Sequence, residues 1–207
     1  ISDCLVGSEM CIRDRDGRVK TLHPKIHAGI LNKNKDKIHK KQMTKLGYEN
    51  IDLVIVNFYP FQDILNSTKA HDKIIENIDI GGPTMVRAAA KNFEYKTVIT
   101  SATQYNSLKD ELKLNNGKTS KQFRQEMSKD AFLETAYYEA VISSYFNKLS
   151  NDKFPSKKII FGEKISKLRY GENPHQIASV YSQDKFNIKQ LSGKKLSYNN
   201  YNDMFSA

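Results

Sequence analysis

The run "IDLVIVNFYPF" (residues 51–61) constrains the fold of this chain more than any other stretch. It is continuously apolar, rich in β-branched residues and closed by Pro60. Such runs form strands buried on both faces, as in the parallel sheets of α/β proteins. "KTVITSA" (96–102) reads as a second strand of the same kind. Helical patterns surround the two. "HPKIHAGIL" carries Pro24 in its first turn, where a missing N–H costs nothing, and "KNKDKIHKKQMTKLG" is a surface helix ending at Gly47. "AHDKIIENI", "DIGGPTMVRAAAKN", "TQYNSLKDELKLNNG" and the long "SKQFRQEMSKDAFLETAYYEAVISSYFNKL" follow. Strands alternating with helices imply a parallel α/β sheet. Two central strands are few for such a layer, so either the sheet is small or strands are missing upstream of Asp16.

The helical region gives way at "LSNDKFPSKK", a polar, lysine-rich stretch containing Pro155 that reads as a linker. From Lys157 the texture becomes short strand-like pieces and turns, the expected beginning of a second domain. The chain reads as cut at both ends. No apolar run approaches the roughly 20 residues of a membrane helix. Asp3, Glu9, Arg13, Asp14 and Arg15 interrupt any signal-peptide core, so a cytoplasmic location is expected. The net charge of +10 (33 basic, 23 acidic) comes from lysines scattered among asparagines and acids. That pattern favours a solvated face, or a pocket for a small anion, over a nucleic-acid surface. Cys4 and Cys11 have no histidine near them, which makes a poor zinc pattern.

Three segments carry chemistry. In "GRVKTLHP", Arg18 and Lys20 are two apart in an extended stretch and share a face, Thr21 adds a hydroxyl, and a helix start adjoins them. Together they make a candidate anion cradle, or else a solvated loop. His23 and His27 have helical spacing, but Pro24 puts His23 at the helix boundary and no third ligand is apparent, so no metal is expected. In "VNFYPF", Asn57 and Tyr59 fall where a parallel strand ends, the place where open α/β sheets bind ligands. Packing of a strand-end aromatic is the competing reading. In "IDIGGPTMVRAAAKN", Asp79 precedes a Gly-Gly pair and a helix start, the layout of an oxyanion or phosphate site with a carboxylate beside it, or of an ordinary capping turn. Lys91 lies about 12 Å of helix beyond Pro83, so it shares a site with Asp79 only along a ligand laid on the helix or around a bend.

In order and spacing these segments resemble the bifunctional purine-biosynthesis family, phosphoribosylaminoimidazolecarboxamide formyltransferase / IMP cyclohydrolase. "GRVKTLHPKIHAGIL", "IDLVIVNFYPF" and "IDIGGPTMVRAAAKN" match its cyclohydrolase domain, and "LRYGENPHQ" and "LSGKKLSYNN" match the opening of its formyltransferase domain. The resemblance implies an α/β, methylglyoxal-synthase-like three-layer fold with a parallel sheet, here incomplete. The start of a cytidine-deaminase-like formyltransferase domain would follow it. It implies closure of the formylated aminoimidazole carboxamide ribotide to IMP with loss of water. Lys20, Tyr59, Asp79 and Lys91 would be the catalytic residues. Arg18, Thr21, Asn57, Ile80, Gly81 and Gly82 would bind substrate, with the N–H groups after Asp79 holding the oxyanion. For the second half it assigns Arg169 and Tyr170 to ribotide binding, with Asn173 and His175 in the same motif. No cofactor is implied for ring closure, and 10-formyltetrahydrofolate is the co-substrate of the formyltransferase. The expected partner is a small ribonucleotide, with no nucleic acid and no membrane, and the family forms homodimers.

The departure is upstream, where the family has further strands and a phosphate-binding loop. Here "LVGSEMCIRD" matches the translation of a transposase sequencing adapter. Residues 1–15 are therefore expected to be non-native, 16–150 the cyclohydrolase domain without its first strands, and 151–207 the linker and start of the formyltransferase domain. Such a chain is expected to be inactive by itself and poorly soluble. The alternative is a regulatory ligand-binding module of the same fold.

Overall fold

A computed structural model describes residues 21–150, 153–183 and 190–206. The chain divides into two compact units that meet at Ser150–Asn151. Arg18, Lys20 and the stretch 1–15 lie outside the described residues.

In the first unit, helix α1 (Pro24–Leu31) opens with Pro24 at its start, as expected, and His23 is its N-cap, the imidazole Nδ1 accepting the Lys25 N–H at 3.1 Å. That hydrogen bond makes His23 a cap. Among the described residues no group of histidine, cysteine and carboxylate side chains is placed to hold a metal. Helix α2 (Lys37–Leu46) is capped by the Asp36 carboxylate, buries nothing and ends at Gly47 in the left-handed conformation. Strand β1 (Leu53–Ile55) is followed by α3 (Phe61–Ser67) and α4 (His71–Glu76). Next come α5 (Gly81–Lys91), β2 (Thr97–Ile99), a 3₁₀ turn (Ala102–Gln104), α6 (Tyr105–Leu114) and the 30-residue α7 (Lys121–Ser150).

β1 and β2 pair in parallel, Leu53 with Thr97, Val54 with Val98 and Ile55 with Ile99. The crossover between them runs through α3, α4 and α5, as a parallel pair requires. β2 is buried along its whole length. β1 is not. Val54 is 6% exposed, but Leu53 and Ile55 are 39% and 47% exposed. This corrects the expectation that both strands are covered on both faces. The pleat turns Val54 toward the α1–α5–α7 side, and among the described residues no layer covers the other side. The apolar run of 51–61 is also shared differently: three residues form the strand and Phe61 already begins α3.

The core gathers Ile30, Val54, Val86, Ala89, Ala90, Val98, Ile99, Leu108, Met127 and Ala131. Alanines on α5 and Ala131 on α7 let the two helices approach closely, and Ser128 Oγ donates to the Ala90 carbonyl across the gap at 2.8 Å. The buried positions Met127, Ala131, Thr135, Tyr138 and Val141 recur at helical spacing, so α7 lays one continuous stripe along the unit. At about 1.5 Å per residue its 30 residues span about 45 Å.

In the second unit, β3 (Glu163–Lys167) and β4 (Ser179–Ser182) are antiparallel, with an irregularity between Lys164 and Ser166. Helix α8 (Tyr198–Ser206) occupies "YNNYNDMFS", a stretch expected as strand-like pieces and turns. Its polar, aromatic-rich sequence buries no residue, so no apolar stripe announces the helix.

Candidate active site

The segment after β1 and the turn before α5 meet beneath one residue of α7. The Tyr138 hydroxyl accepts the Asp79 backbone N–H at 2.8 Å and lies 3.5 Å from the Asn77 carbonyl oxygen. Its ring contacts Phe58 at 5.1 Å between centroids and Phe61 edge-on at 6.2 Å, the residues on either side of Tyr59–Pro60. Tyr138 is 7% exposed. Burial pushes its phenol above the ordinary value, and the neighbouring Asp79, Glu139 and Tyr59 add to the rise, while the Asp79 N–H works against it. Nothing in "LETAYYEAVISSYF" singled Tyr138 out. Its buried place in the helical stripe was legible, but its partners lie 59 and more residues away in sequence.

The structure therefore brings Tyr59 and Asp79 to the same end of the sheet. Tyr59 and Asn57 are exposed and Asp79 is half-buried. Asp79 is also committed locally: its Oδ1 accepts the Gly82 N–H at 2.9 Å. A Cβ on Gly82 would fall 2.4 Å from Asp79 Oδ2, so only glycine lets the carboxylate sit over the helix start. The Gly82 N–H, one of the donors expected to hold an oxyanion, is directed at Asp79 in this state. Ile80 is exposed and Gly81 half-buried at the rim.

Lys91 is not part of this gathering. Helix α5 runs without interruption from Gly81 to Lys91, which sets the lysine about 15 Å along the axis from Gly81. Thr21, the first described residue, is half-buried with φ of 56°, an uncommon conformation for a β-branched side chain.

The opposite end of the sheet holds a polar network that the sequence reading missed. The Lys96 ammonium, fully buried, donates to Asn34 Oδ1 at 2.9 Å and Asp52 Oδ1 at 3.2 Å, and Asn34 Nδ2 donates to the same Asp52 oxygen. Asn92 Nδ2 donates to the carbonyls of Ile30 and Asn32. Burial lowers the Lys96 pKa, and the Asp52 hydrogen bond and charge oppose that. The scattered asparagines and lysines looked like solvated surface because no local pattern marks them.

In the second unit the "RYGENPHQ" segment folds on itself. Gly171 N–H donates to the Gln176 carbonyl, Gln176 N–H to the Asn173 carbonyl and Asn173 N–H to Gln176 Oε1. Arg169 stacks on Tyr170 with its guanidinium carbon 4.8 Å from the ring centroid and donates to the phenol oxygen at 3.1 Å. The Arg169 hydrogen bond, helped by one from Ser197, pulls the Tyr170 pKa below its ordinary value. His175 is exposed.

Residues 89–207 match the family model described as the AICARFT/IMPCHase bienzyme, and residues 9–84 match an MGS-like domain. The chain belongs to the AICARFT/IMPCHase bienzyme family. The bienzyme match begins within α5 and continues through both units. The MGS-like match fits the small parallel sheet of the first unit, an MGS-like α/β fold. It reaches back to residue 9, into the stretch read as adapter translation, which lies outside the described residues. The chain is 48% identical over 195 residues to the bifunctional purine biosynthesis protein PurH of Elusimicrobium minutum, covering 93% of this chain and 38% of that protein. It is 48% identical over 202 residues to PurH of Caldicellulosiruptor saccharolyticus, covering 93% and 39% respectively. A crystal structure of ForH superposes with a TM-score of 0.53 at 31% identity, over 64% of this chain and 68% of that one. The chain thus spans less than two-fifths of the length of these PurH relatives.

Proposed function

We propose that the first unit carries the ring-closing half of the bienzyme, the dehydrative cyclisation of the formylated aminoimidazole carboxamide ribotide to IMP. The second unit then begins the half that formylates the ribotide with 10-formyltetrahydrofolate. In ring closure the carboxamide nitrogen attacks the formyl carbon and loses a proton as the C–N bond forms. The formamide nitrogen then gives up its proton to make a C=N bond while the C–O bond breaks, and the former formyl oxygen, having taken up two protons, leaves as water. This needs one group to take a proton and another to give one near a developing oxyanion. Tyr59 and Asp79, drawn together around Tyr138, are the observation that carries the reading.

On this reading Asp79 and Tyr59 exchange the protons, and Asn57, Ile80 and Gly81 line the ligand. The Gly82 N–H turns to the oxyanion when Asp79 moves to its substrate. Arg18, Lys20 and Thr21 supply charge and a hydroxyl from the neighbouring segment. Lys91 joins the proton-transfer group only along a ligand laid on α5, given its place at the far end of that helix. Ring closure then requires no cofactor. Arg169 and Tyr170 bind the ribotide in the formyltransferase half, which operates as a homodimer on small molecules. Residues 16–150 correspond to the ring-closing domain and 151–207 to the linker and the opening of the second. A regulatory module of the MGS-like fold has no use for the bienzyme match through 151–207. Ring closure, followed as IMP formation in a full-length family member, is expected to fall at least about 100-fold in the equivalents of Asp79→Asn and Tyr59→Phe. A loss of no more than a few-fold in both overturns the assignment.

A further inference from the structure

We propose that Tyr138 is the positioning residue of this site, its hydroxyl fixing the Asp79 amide while its ring braces Phe58 and Phe61 on either side of Tyr59–Pro60. The inference rests on the reading above for the use of the site, but the contacts that carry it are independent of that reading. The segment after β1 and the turn before α5 are separated by two short helices, and both end in loops. Tyr138 engages both at once. It does so by two kinds of force: a hydrogen bond to one loop and ring contacts to the other.

α7 is the right platform for such a residue. It packs against α5 through Ser128 and Ala131, so its position is set by the core. Two further tyrosines of the same helix reach the crossover. Tyr137 donates to Gln62 Oε1 of α3 at 3.3 Å, and the Tyr145 hydroxyl meets His71 Nδ1 at the start of α4 at 2.8 Å. These hold the helices of the crossover, whereas Tyr138 holds the backbone that carries Asp79. The Asp79 carboxylate is then oriented twice, by its own Gly82 hydrogen bond and by the amide fixed from below. Removing the hydroxyl alone frees the Asp79 amide while the ring contacts stay in place.

The test uses the 207-residue chain and Tyr138→Phe. Hydrogen exchange of the peptide covering Asp79–Gly82 is expected to accelerate about tenfold, as for loss of one hydrogen bond, with the thermal midpoint lowered by only a few degrees because the ring remains. Titration with IMP, made in a full-length family member as for ring closure, is expected to weaken by a similar factor in the equivalent of Tyr138→Phe. In an Asp79→Asn background the same change is expected to have little further effect, since Tyr138 acts through Asp79. Unaltered exchange in Tyr138→Phe, or effects of the two substitutions on IMP affinity that simply add, overturns the proposal. If the full-length wild type binds no IMP, the assigned substrate is what fails, and the exchange measurement alone decides whether Tyr138 holds the loop.

Discussion

At the amino ends of β1 and β2 the buried Lys96 and Asn92 side chains are tied to side chains and carbonyls of other segments, whereas at the carboxyl ends the chemically versatile groups are more exposed. Lys96, Asn34, Asp52 and Asn92 knit the first region together. It is extended by the Thr97–Thr119 hydroxyl contact at 2.8 Å and by Arg124, whose guanidinium donates to the carbonyls of Phe93 and Glu94. In the second region Tyr59 and Asn57 are exposed and Asp79 is half-buried, with Tyr138 engaging the loops on which they sit. Among the described residues, the Lys96 and Asn92 cross-links lie at one end of the strands. The other end keeps groups that can still meet a ligand, at the cost of partly fixed loops.

The largest loss of stability is expected at Asn92. Asn92→Ala leaves two buried carbonyls without their donor and is expected to cost about 2 kcal/mol, read as a lower urea midpoint. Tyr59→Phe at the opposite end is expected to stay within about 0.5 kcal/mol of wild type. Equal losses at the two ends would erase the distinction.

A smaller effect is expected at Asp52. Asp52→Ala takes the carboxylate from the buried Lys96 ammonium but leaves Asn34, and Asp52 itself is largely exposed, so the loss is about 1 kcal/mol. Lys96 titrates below the usual 10.5 in the folded state, so between that lowered value and 10.5 the unfolded chain binds the proton more readily. Stability from this group therefore rises with pH through that window, and Asp52→Ala is expected to steepen the rise. Thermal midpoints across pH 7 to 10 check the sign.

The smallest effect lies at the start of α7. Glu111 Oε1 accepts the Ser120 N–H at 2.6 Å, and that hydrogen bond holds its carboxyl below the ordinary 4.5. Its contribution is present above 4.5 and lost as pH falls through the lower folded value. Glu111→Gln is expected to flatten the acid limb of stability slightly, seen as midpoints that converge with wild type at low pH. A variant that diverges there instead would place the acid sensitivity at the other end of the layer.

Much of the fold is written locally. The caps of α1 and α2, the turn at Gly47, the alanine-rich α5 and the long α7 follow from spacing, proline position and left-handed glycine. The two strands and their parallel pairing follow from β-branched runs separated by helices. The motifs around Tyr59, Asp79 and Arg169 were likewise legible, because reactive groups beside glycines and strand ends form short patterns. Burial of β1 was not, since an apolar run states which residues can be covered but not whether a neighbouring layer covers them. Nor was α8, which buries no stripe that would mark its period.

Most elements of the first unit, their order and the family motifs could be read from local sequence, because helix and strand preferences act over a few residues. That Tyr138 underlies Asp79 and that Lys96 is buried with Asn34 and Asp52 was settled by packing. Those contacts join residues tens of positions apart, and their partners are chosen by how α5 and α7 pack on the sheet.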